Sequence, residues 1–128
     1  SLKDAARKST VDEIITYMAN SGVSDLTALT TVGSPQSQAA AWMAEDDDAN
    51  LPVPTADGEV AYKYTTRYAM VVLYYSTGGD RTWANQLSFM TGADVCDWYS
   101  IFNPVTPYRK GVVCDNGTGL IVAVGISK

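Results

Sequence analysis

The apolar residues of this 128-residue chain change period once, and that change limits the fold more than any other feature of the sequence. Up to Ser76 they recur three and four positions apart, as in helices that bury one face. From Gly111 onward they form short β-branched runs on either side of a turn sequence, as in paired strands. This order predicts an α+β domain of about three helices followed by a β-hairpin. The length suits a single domain over residues 1–128, with an N-terminal helical segment at 1–33 ahead of the remainder at 34–128.

Local signals place the elements. Thr10 and Glu13 make a capping-box pair in front of Val11, Ile14, Ile15 and Met18, so a helix is predicted over about 9–20, with Gly22 past its end. Residues 4–8 either extend it or fray. Residues 23–33 are rich in Ser, Thr and Gly and read as a loop or short helical turn anchored by Leu26 and Leu29. Ser34-Pro35 opens a second helix, with Ser as cap and Pro at the first position. The acids Asp46 to Asp48 oppose the dipole at its far end, so it stops near Ala44. A third helix is expected from Val60 to Ser76. Tyr64, Tyr68, Val71, Val72 and Tyr75 mark one face, and Ala61, Met70, Leu73 and Tyr74 broaden it, as in a central, largely buried helix. Gly78-Gly79 ends it, and Asp80 and Thr82 cap a short turn near Trp83. The loop at 47–58 carries Pro52, Pro54 and Gly58 and reads as the most mobile internal segment. Strands are expected at Gly111–Cys114 and Leu120–Ile126, joined by the turn Asp115–Gly119.

Composition removes several function classes. There is no histidine, which excludes Ser-His-Asp and Cys-His enzymes and, with two cysteines, most zinc sites. Nine basic residues, scattered, against fourteen acidic ones give a net charge of −5, which disfavours nucleic acid and anionic membrane surfaces as partners. No run of 18 apolar residues exists, so no membrane span is expected. No signal peptide is visible, and the polar start Ser1 to Asp4 fits a mature end after processing.

Few residues carry a chemical signal. Cys96 and Cys114 are first read as a disulfide, worth roughly 3 kcal/mol in the loop-entropy view, with two buried free thiols as the alternative. Asn116-Gly117-Thr118 is an N-glycosylation sequon, and an ordinary hairpin turn is the alternative. Asp46, Asp48 and Asn50 fall at calcium-loop spacing, but Leu51 stands where that loop needs Gly, so a solvated acidic turn is the better reading. Trp98, Tyr99 and Tyr108 are candidate glycan contacts if exposed, whereas aromatics at helical spacing more often build a core. No pair among the fourteen acids stands out as catalytic. No catalytic residue, metal site or cofactor is expected.

Trp83, then Cys96-Asp97-Trp98, then Gly111-Val112-Val113-Cys114, then Leu120 to Val124 resembles the N-terminal cap of extracellular leucine-rich-repeat proteins of plant type. Ser34-Pro35-Gln36 with Trp42-Met43-Ala44, and Arg67 to Met70 with Leu73 to Asp80, resemble the cap region of diatom members. The resemblance covers about residues 34–127. It implies that Cys96 and Cys114 are bonded to each other and that Ile121, Val124 and Ile126 fit the L-x-x-L-x-L repeat frame. The insert between Trp98 and Gly111 is longer than in many caps. No repeats follow in this sequence. The chain is then a fragment of a longer protein, a stand-alone cap sealed by its own helices, or a module whose strand edge is a binding surface.

The functional expectation is a non-enzymatic protein–protein interaction or structural capping module, such as an accessory subunit of a larger assembly outside the cytosol. It is secreted or at the cell surface, or else in an oxidising organelle lumen. Its partner, a protein or a second copy, would meet the strand formed by Leu120, Ile121, Val122, Val124 and Ile126. The alternative is a carbohydrate-binding module. Burial of Trp98 beside the disulfide favours the first, and exposure beside acids favours the second.

Overall fold

Four helices and a three-stranded antiparallel sheet make up this α+β chain in a computed structural model that describes residues 9–83, 86–102, 105–106 and 108–125. Helix α1 spans Val11–Asn20 and carries the full capping box. The Thr10 hydroxyl accepts from the Glu13 amide at 3.2 Å, and the Glu13 carboxylate accepts from the Thr10 amide at 3.0 Å. Its Ile14 and Met18 are buried. Helix α2 spans Leu26–Thr30, capped by Asp25, whose side chain accepts from the Thr27 amide. The Ser/Thr-rich stretch therefore holds a helix, which makes four rather than about three. Helix α3, Pro35–Glu45, starts on the Ser34 hydroxyl and buries Ala39, Ala40, Trp42, Met43 and Ala44. Residues 4–8 lie outside the described residues.

Helix α4, Glu59–Ser76, packs against α3. Its buried face is Ala61, Tyr64, Tyr68 and Val71, with Arg67 and Tyr74 alongside. The opposite side is open, and Val60 is 70% exposed. Two tyrosines fasten the N-terminal part to this helix. Tyr64 shares a hydrogen bond with the Ser9 hydroxyl at 2.7 Å, and Tyr68 one with Ser24 at 2.8 Å. Burial pushes the Tyr64 phenol up to about 12, because an apolar site disfavours phenolate, and the Ser9 bond offsets this only in part.

The last third is a meander rather than a hairpin. A 3-10 turn at Val95–Asp97 leads into β1 (Tyr99–Phe102), β2 (Tyr108–Cys114) and β3 (Ile121–Gly125), paired in that order. The expected strands correspond to β2 and β3, and β1 is an additional edge. Gly111 makes the β1–β2 approach. Its φ is +118°, and a Cβ there would lie 2.4 Å from the Trp98 carbonyl oxygen. Next to it the Val112 amide donates to that carbonyl at 2.8 Å. A side chain at 111 would break this contact.

One core joins both parts. Trp98 is fully buried, with its ring 6.2 Å from Trp42 and 5.2 Å from Phe89. Val112 of β2 is fully buried as well. Leu87 and Phe89 enter the same core from an irregular segment where Leu87, Ser88 and Met90 have φ near +60°. Burying the two side chains offsets that backbone cost, which is on the order of 1 kcal/mol per residue.

Candidate interaction edge

The region that sequence reasoning marked for contact centres on β3, an outermost strand of the sheet. Its construction begins at the disulfide. Cys96 and Cys114 are bonded, with Cα atoms 5.6 Å apart and a sequence separation of 18. The bond ties the end of β2 to the 3-10 turn under α4. The hairpin turn follows. Asp115 accepts from the Thr118 amide at 3.0 Å and from its hydroxyl at 2.8 Å, and these bonds hold the carboxyl below the usual carboxylate range. Asn116 is exposed at this turn.

β3 contains a bulge. Val112 pairs with Val124 and Val113 with Ala123, but Cys114 pairs with Ile121, so Val122 has no partner residue on β2. Three positions separate Ile121 from Val124, and strict alternation would put them on opposite faces. The extra residue brings both onto the core side, where each is partly buried against the cluster. Val122 is 64% exposed. Leu120, expected within the strand, lies just before it and is 46% exposed, and Ile126 is outside the described residues.

The outer edge is closed at one end. At the hairpin the Asp115 amide donates to the Leu120 carbonyl at 2.8 Å. The antiparallel pattern then turns the Ile121 amide away from β2. The Tyr62 hydroxyl of α4 accepts from it at 3.2 Å. Beyond Ile121, no strand pairs with the outer edge among the described residues.

Beside this edge sits a buried ion pair that sequence reasoning missed. Arg67 Nε and Nη2 donate to the two oxygens of Asp47, each at 2.7 Å, with both side chains almost fully buried. Arg67 Nη1 donates to the Ala93 carbonyl at 2.8 Å, and Nη2 also reaches the Thr91 carbonyl. The guanidinium lies 4.8 Å from the centroid of the Trp98 ring. Asp47 is therefore not part of a solvated acidic turn. It is the inward member of the run, while Asp46 and Asp48 stay exposed. The predicted loop at 47–58 is irregular, yet it is anchored here and again where Ser9 bonds the Leu51 carbonyl. One signal pointed to Arg67: it falls within the apolar stripe of α4, between Tyr64 and Tyr68.

Of the three candidate glycan contacts, the side chains of Trp98 and Tyr99 are described. Trp98 is fully buried, so its ring is closed to a sugar. Tyr99 is half-buried, with the Arg109 guanidinium 3.8 Å from its ring centroid. The Tyr108 side chain lies outside the described residues. No group of three His, Cys, Asp or Glu side chains suited to a metal occurs among the described residues. No helix among them is long and apolar enough to cross a membrane. No protein-family model matches the chain, and no curated protein or solved structure is significantly similar to it.

Proposed function

We propose that this chain is a non-enzymatic capping or interaction module that receives a further strand along the outer edge of β3, as its resemblance to leucine-rich-repeat caps implies. The observation that carries the reading is the bulged β3. It turns Ile121 and Val124 onto the rim of the core and leaves the backbone edge past Ile121 without a neighbouring strand among the described residues. Such an edge offers backbone hydrogen bonds to a partner, and the apolar rim offers it surface to cover. A module of this kind acts outside the cytosol, where the Cys96–Cys114 bond is maintained. Asn116 is a glycan acceptor in that setting.

The test is a fusion of this chain, through its C-terminal end, to a stack of leucine-rich repeats. If it caps the stack, the fusion melts in one cooperative transition, several degrees above the stack alone. Two transitions at the temperatures of the separate parts would defeat the reading.

A further inference from the structure

The start of the β3 edge opens onto a cavity of about 220 Å³ between α4 and the segments around Leu51 and Val95. Its walls are mainly apolar, with Leu51, Val95, Ile121 and the Tyr62 ring, and they also include Asp94, Lys63 and Arg67, the last already paired with Asp47. A wider mouth of about 600 Å³ continues outward past Gly119 and Leu120. Glu59, Asp94 and Asp97 stand around that mouth against a single cation, Lys63, so its formal charge is −2. Lys63 sits 3.3 Å from Glu59 and 3.8 Å from Asp94, and its side chain is half exposed. Such exposed pairs are weak and exchange easily with an incoming cation.

We propose that the segment received by this edge carries a lysine or arginine. Its aliphatic stem fills the cavity, and its cationic head meets Asp94, Asp97 and Glu59. The inference rests on the strand-addition reading and names the chemistry of the partner. Three observations select this occupant. The cavity adjoins the outer edge, because Tyr62 and Ile121 belong to both. An apolar shaft ending in an acidic mouth matches a long side chain with a charged tip. The whole chain is acidic at −5, so a basic segment is steered toward it while a second copy is repelled.

The test is a two-dimensional NMR titration of the oxidised chain with acetyl-Val-Lys-Val-Thr-Val-amide. The same peptide with Glu or Leu in place of Lys serves for comparison, and N-acetyl-lysine methylamide serves as a single-side-chain probe. The Lys peptide is expected to shift the amides of Asp94, Gly119 and Ile121 together with those of Ala123 to Gly125. It should bind at least about tenfold more tightly than the Glu peptide, a difference of about 1.4 kcal/mol. Asp94→Asn with Asp97→Asn should erase that advantage, and Asn keeps a side-chain acceptor for the Cys96 amide that Asp94 now caps. Salt at about 1 M should erase it too, because the screening length falls to about 3 Å. If all three peptides shift β3 alike without touching the cavity, strand addition stands and the cationic anchor is overturned. Equal or tighter binding of the Leu peptide inside the cavity overturns it in favour of an apolar anchor. If the lysine amide shifts the cavity residues while no peptide moves β3, cation recognition stands and strand addition fails. Silence from every probe overturns the proposal.

Discussion

From Ser9 to Ser76 the chain buries its own surfaces. Ile14, Met18 and Leu29 meet Ala39, Ala40 and Met43, and these meet Tyr64, Tyr68 and Val71. From Tyr99 to Gly125 the proportions reverse. Val112 is the one strand residue in the fully buried core among the described residues, while Ile101 is 65% exposed and Val122 64%. The helical region holds together by side-chain packing. The sheet region holds together by backbone pairing, a disulfide and a joint at Trp98. An element stabilised from within can present a finished surface. An element stabilised by tethers keeps an edge for something else, and that edge is where the proposed contact lies.

The largest test of this contrast acts on the joint. Asp47→Ala leaves the Arg67 guanidinium buried without its carboxylate and is expected to cost about 3–5 kcal/mol. Urea unfolding measures it, and a loss below about 1 kcal/mol would mean that Asp47 is not needed to hold the Arg67 guanidinium against the Thr91 and Ala93 carbonyls and the Trp98 ring. Next comes the tether. Cys96→Ala with Cys114→Ala should cost about 3 kcal/mol. Hydrogen exchange should then show β2 and β3 opening while α1, α3 and α4 stay protected. Equal loss of protection everywhere would show one cooperative unit and dissolve the comparison.

A third test addresses the helical region alone. The phenol of Tyr64 is harder to ionise in the fold than in the unfolded chain. Its contribution is therefore fully present below about pH 10 and is lost as pH rises through about 12. The expected loss is on the order of 2 kcal/mol, and Tyr68, raised in the same direction by burial, adds to it. Denaturation curves across this range should flatten in Tyr64→Phe. The smallest effect belongs to Tyr62→Phe, which removes the acceptor at the Ile121 amide. About 1 kcal/mol or less of stability should be lost, and Ile121 should exchange faster while the helices are unchanged.

Much of the helical region was legible because its punctuation is local. Thr10 with Glu13, Ser34-Pro35 and Gly78-Gly79 mark ends through bonds made within a few residues. Helix α2 was obscure because Leu26–Thr30 is a single turn and a half with two anchors, too short for a period to show. β1 was obscure for the same reason: Tyr99–Phe102 has four residues and gains its role only by pairing with β2. The disulfide was expected and is present. The Arg67–Asp47 pair spans twenty positions and joins a residue inside an acidic run to one inside an apolar helix face. Arg67 stands in an apolar stripe, but nothing in the acidic run marks Asp47 as the residue that turns inward to meet it. The burial of Trp98 is also tertiary, since Trp42 and Phe89 close over it from distant segments.

The bulge at Val122 bears on the length of β3 in a particular way. Deleting that one residue would restore a regular ladder with Cys114 still opposite Ile121, and two positions would then separate Ile121 from Val124, so both would keep the core side. A substitution at 122 alters only an exposed side chain. The ladder therefore carries one residue more than its pairing needs, and what that residue supplies is the local bend of the outer edge rather than the facing of Ile121 and Val124.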